Sequence, residues 1–266
     1  MRKSVFFYFK KSIAFFDLKA RSIPPAVFIG MLALYSLYFY IMQTDAGGAV
    51  MQDAVMRDAV TQGAASAQDA YAQGAAYAEE SFVAMVAGFV IMLLCNMLSY
   101  IYLDAAIREA KQEEYAARQC VASAVKHILR LTVLAILKNI ILFAGLLMLI
   151  IPGLIFSIIL LFSECAVLDK GSKAVEGMRF SGKITKGARV DIFKIKLFCD
   201  LILAFFVILL LNIFSSNNLF VFQYIMLFTL SICVLVEHKL VAFLYADALA
   251  AYEGRAPGPE GADAGA

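Results

Sequence analysis

Between Ala26 and Val236 the chain returns again and again to apolar stretches long enough to cross a bilayer, and no other feature limits its fold so severely. Crossing a hydrocarbon core about 30 Å thick takes roughly 20 helical residues, and a backbone inside that core must satisfy its own N–H and C=O groups, as a helix does. The stretches run over residues 26–42, 82–103, 131–151, 152–168, 197–214 and 219–236. Hydrophobic residues make up 62% of the chain and charged ones 17%, with a mean hydropathy of +0.81, well beyond a soluble globular domain. The predicted class is therefore all-α: a polytopic transmembrane bundle of six spans forming a single membrane domain over residues 1–253.

The segments between the spans have their own characters. Residues 1–23 combine Lys3, Lys10, Asp17 and Arg21 near one helical line with Phe6, Phe7, Phe9, Ile13, Phe15 and Phe16. Such a segment suits an N-terminal interfacial helix, its rings at the acyl boundary and its cations among headgroups, or equally a charged lead-in to the first span. Pro24 and Pro25 then suit a helix start. Residues 45–81 are rich in Ala, Gln, Asp and Gly and read as a polar helical arm outside the bilayer, either a docking element for a protein partner or a solvated connector. Residues 104–127, with Arg108, Glu109, Lys111, Glu113, Glu114 and Arg118, read as a solvated surface helix. Residues 169–196 form a basic loop, the helical pattern of the last span runs to about Tyr252, and the Pro/Gly/Ala-rich tail 254–266 is expected to be disordered.

Charge asymmetry orients the bundle. Six Lys and Arg precede Pro24, five lie between Arg108 and Arg130, and eight between Lys170 and Lys196, whereas residues 45–81 hold only Arg57 against six acids. Cations concentrate on the cytoplasmic side of span ends, so both termini and the segments 104–127 and 169–196 are expected in the cytoplasm of a cell whose inner membrane holds the chain. Treating residues 139–162 as one span would send the eight-cation segment outside, which argues for two spans there.

Two ionisable residues interrupt those two spans. Lys138 stands 14 residues before Pro152 and Glu164 stands 12 after it, so on opposite arms of a hairpin each lies about 18 to 21 Å from the turn. Inside hydrocarbon they must pair or face a polar cavity; in a short, re-entrant hairpin both snorkel to the interface. The pair is expected either to staple the hairpin or to border a transport path. Asn96, Asn212 and Gln223 are expected to bridge helices, and Glu237, His238 and Lys239 to stand at the interface. The five cysteines form no CxxC pair, only two histidines exist, and no Gly-rich phosphate loop occurs. No catalytic residue, metal site or cofactor is therefore predicted.

Pro152-Gly153, the apolar run to Val167-Leu168-Asp169, then Ala174-Val175-Glu176-Gly177 and Ser181-Gly182-Lys183-Ile184-Thr185-Lys186-Gly187 together resemble a six-span bacterial membrane family. That family is related to the membrane domain attached to some glycerophosphodiester phosphodiesterases. The resemblance covers under a fifth of the chain, and Ala188 departs from it where Asn follows Gly187 in the family. It implies an inner-membrane protein without catalytic residues, since the phosphodiesterase chemistry belongs to a separate soluble domain. Lys183, Lys186 and Arg189 recur at three-residue spacing, which suits a grip on an anionic lipid headgroup as well as an ordinary positive-inside loop. The functional expectation is a non-catalytic scaffold or a lipid- or protein-interacting component, with a transporter or permease as the alternative. Its expected partners are membrane lipids and a protein at residues 45–81, with no nucleic acid.

Overall fold

The computed structural model describes residues 4–14, 16–41, 67–148, 150–213 and 219–254, and these contain helices and turns but no strand. In chain order the helices are α1 Val5–Ile13, α2 Ile23–Ile41, α3 Ala67–Ala110, α4 Ala117–Met148, α5 Ile150–Ile159, α6 Ser163–Lys170, α7 Ala174–Ile184, α8 Arg189–Ile213 and α9 Leu219–Glu253. Six helical stretches are long and apolar enough to cross a membrane, so the chain is a multi-pass membrane protein. The first half of the arm expected at 45–81 and the tail from 255 onward lie outside the described residues. Its second half, from Ala67, is continuous with the second span as one 44-residue helix.

The chain divides into two units, residues 29–98 and the remainder. In the smaller unit Met31, Ile91 and Cys95 are buried, and Gly30 meets Leu98 so closely that a Cβ there would fall 2.9 Å from its Cδ1. In the larger unit the packed core gathers at one end. It consists of α1, the close of α3, the opening of α4, α6, α7, the opening of α8 and the second half of α9.

Several expected boundaries move for packing reasons. Residues 104–127 are not a solvated surface helix: Asp104, Ala105, Ala106 and Ile107 end α3 in the core, and Cys120 and Ala124 of α4 are buried with them. Asp104 is tolerated there because Arg108, one turn on, donates to it at 2.9 Å and Ser123 adds a second donor. The segment 169–196 is likewise helical, with α7 lying on α6 and α8 already under way at Arg189. Lys173 N–H is capped by the Glu176 carboxylate at 3.2 Å, and Gly171, at φ +62°, supplies the left-handed turn that ends α6. α5 begins at Ile150, so Pro152 sits in the first turn of that helix, where its missing N–H costs nothing.

The N-terminal segment packs into the core of the larger unit. Ser4 caps α1 by accepting from Phe7 N–H, and the helix ends at Ile13 with Lys10 and Lys11 in its last turn, where cations favour the helix dipole. Tyr8 and Ser12 are buried as α1 packs on α8 and α9, while Phe6 stays exposed. The Tyr8 hydroxyl donates to Asp247. Burial, reinforced by that carboxylate, holds its pKa above the ordinary tyrosine range, so it remains a donor.

Candidate functional site

The fourth span is not one helix. It breaks after Ile159, and Ser181 of α7 fills the break: its Oγ accepts from Phe162 N–H at 3.1 Å and donates to Ile159 C=O. Both backbone groups would otherwise be orphaned in a buried turn, which is expensive in an apolar surround. Gly177, one turn earlier on α7, lets the helix lie against α6; a Cβ there would come within 2.8 Å of Val167 Cγ2 and 3.1 Å of Ser163 C=O. Ser181 and Gly177 thus serve the same joint.

The break sets α6 so that Glu164 faces α4. Lys138 Nζ donates to Glu164 Oε1 at 2.9 Å, bringing the two intramembrane charges of the sequence together across the hairpin. Both side chains are largely buried. From Lys138 to the end of α4 is about 15 Å, and α5 adds an arm of similar length, about half a hydrocarbon core.

A second cluster, not foreseen from the sequence, sits on the neighbouring helices. Lys196 of α8 donates to both oxygens of Asp200 one turn on, at 2.9 and 3.0 Å, and to Glu237 Oε1 of α9 at 2.8 Å. The charge of Glu237 also acts on Lys138, so the two clusters share one electrostatic neighbourhood. Together they hold two lysines and three carboxylates, with His238 of α9 acting on Glu164 and Glu237 beside them. The second cluster is hidden in the sequence because Lys196 closes the basic segment 169–196 and Glu237 stands at the end of an apolar run; its one local signal is the i, i+4 spacing of Lys196 and Asp200 at the mouth of a span.

Other polar residues take roles different from those expected. Lys239 is no interfacial cation: it is 2% exposed and donates to the carbonyls of Ala14 and Asp17, the latter at 2.9 Å, tying the chain after α1 to α9. Among the described residues Asn212 donates to Ile208 C=O of its own helix at 2.8 Å, and His238 Nδ1 lies 2.8 Å from Val234 C=O within α9. Asp169 receives Lys111 and the Tyr245 hydroxyl, the latter at 2.8 Å. Lys183 and Lys186 are exposed around the turn between α7 and α8, whose Gly187 has φ +90°, and no carboxylate pairs with them or with Arg189 among the described residues.

Among the described residues no three His, Cys, Asp or Glu side chains group as a metal ion would require, and all five cysteines are free. No family model, curated protein or solved structure matches the chain.

Proposed function

We propose that the chain is a non-catalytic component of the inner, cytoplasmic membrane, with both termini in the cytoplasm, serving as a scaffold or as a lipid- or protein-interacting subunit. One observation carries this reading. The apolar window of α9 is 50% buried inside the chain, but that of α4 is only 17% and that of α8 only 11% buried. The membrane-facing surface of α4 and α8 therefore meets lipid or another protein along most of its length, and the ordered core stands at the basic end, where headgroups or a soluble partner are within reach. The kinship with the six-span bacterial family belongs to the same proposal.

A second reading is a transporter, favoured by the charged cluster of Lys138, Glu164, Lys196, Asp200 and Glu237, since ionisable chains inside a membrane mark ion and proton paths. The two readings part on one experiment. The chain is crosslinked in intact membranes, extracted with its lipid and examined by native mass spectrometry, and the same preparation is reconstituted into vesicles. A discrete protein adduct or retained lipid without gradient-driven flux is the expected result. A proton or solute flux abolished by Glu237→Gln would replace the scaffold reading with the transporter.

A further inference from the structure

At the basic end of the larger unit a cavity of about 600 Å³ opens between the close of α3, the opening of α4 and the end of α6. Its ionisable lining comprises Arg108, Lys126, His127, Arg130, Asp169 and Lys170. Four cations thus face one carboxylate, and the carboxylate is already taken: Asp169 receives Lys111 and Tyr245. Arg108 is spent on Asp104 at 2.9 Å, and Arg130 holds the carbonyl of Gly171 that ends α6. Lys126 is exposed, and Lys170 rests over the Phe180 ring at 3.8 Å; neither has a carboxylate partner among the described residues. His127 is 7% exposed, and its Nδ1 is buried without a hydrogen-bond partner among the described residues. A buried ring nitrogen left unsatisfied is costly, so its place on a cavity wall calls for an explanation that packing does not give.

We propose that this cavity binds a phosphate-bearing anion, either the headgroup of an anionic lipid or a soluble phosphate ester, with Lys126 and Lys170 as its principal cations and Arg130 and His127 at its wall. The volume is that of a small-molecule site rather than a single ion. Its height suits a headgroup, because Arg130 immediately precedes the apolar run that begins at Leu131. Neutralising the helix end and Asp169 does not account for the cations: Arg130 and Lys111 already do that. The site is distinct from the Lys183, Lys186 and Arg189 group and deepens the lipid-interacting reading, on which it rests only for the lipid source of the anion.

The full chain in nanodiscs of phosphatidylcholine doped with phosphatidic acid provides the test, with retained lipid read by native mass spectrometry. Wild type is expected to retain phosphatidic acid in preference to phosphatidylcholine. Lys126→Gln with Lys170→Gln is expected to weaken that retention about tenfold or more, as loss of two charge-assisted contacts implies. Arg118→Gln with Lys194→Gln, which removes the same charge at exposed positions elsewhere, is expected to leave it unchanged. Equal weakening by both pairs, or no preference in wild type for phosphatidic acid or for glycerol phosphate added in solution, would overturn the site. Displacement of the lipid by glycerol phosphate assigns the soluble source; resistance to it assigns the headgroup. Should the double variant not fold, acetylation of Lys126 and Lys170 in wild type with and without phosphatidic acid replaces it, and absence of protection overturns the proposal. A protein crosslinked to α4 or α8 alongside a failed anion test would leave the broader function standing without this site.

Discussion

The two ends of the larger unit are built on opposite principles. At the basic end Leu235, Val236, Leu240, Val241, Leu244, Tyr245 and Leu249 of α9 are buried against neighbouring elements, with Phe162 and Tyr245 packed edge to face at 5.9 Å. At the apolar end Phe143 and Leu147 of α4, Phe205, Phe206 and Ile208 of α8 and Tyr224 of α9 are exposed. The difference follows from solvent. Inside hydrocarbon an apolar side chain gains little by leaving lipid for protein, so helices need not close on one another; beyond the hydrocarbon, water drives the same kinds of residue into a core. Charged residues follow the division, since Lys138, Glu164, Lys196, Asp200 and Glu237 lie where the packed core gives way to the apolar ends.

The comparison breaks most directly at Lys239. Lys239→Ala removes a buried cation and leaves the carbonyls of Ala14 and Asp17 without their donor, and the folded yield in detergent is expected to fall by the equivalent of about 3 kcal/mol or more. At the rim, Lys138→Ala alone is expected to cost about 3 kcal/mol by stranding Glu164, and the double variant with Glu164→Ala less than that single change, as thermal unfolding would register. Equal losses would mean that the pair does not act as one. Gly177→Ala forces a methyl onto Val167 and should cost about 1–3 kcal/mol, and Ser181→Ala, which orphans Phe162 N–H, about 1–2 kcal/mol, both seen as lowered melting temperature. At the far end Phe205→Ala should change stability by less than about 0.5 kcal/mol, because its ring exchanges one apolar contact for another. A loss there as large as at Gly177 would show that α8 carries a protein interface in the membrane, sharpening the scaffold reading.

The depth of the hairpin can be placed on the same scale. If the Lys138–Glu164 pair lies at the headgroup boundary, Leu147→Cys, about 14 Å farther along α4, stays unreactive to an impermeant maleimide added from either side. Labelling from the side opposite the basic end would show a full crossing with the pair in the hydrocarbon interior.

The sequence by itself determined the class and the number of membrane-length helices, because apolar length is a local property that no partner can change. It also set Lys138 and Glu164 on opposite arms of one hairpin, but the break after Ile159 is what turns Glu164 onto α4. The remaining polar contacts depended on tertiary structure. That Lys196 reaches Glu237 is decided by how α8 and α9 lie side by side, and Ser181 belongs to a break in the fourth span only because α7 folds back onto it. Lys239 illustrates the reason: its charge and its place at the end of an apolar run fit an interfacial cation, yet two carbonyls from the opposite end of the chain make burial affordable. Burial of a polar group is settled by the partner that satisfies it, and a partner more than two hundred residues away leaves no local trace.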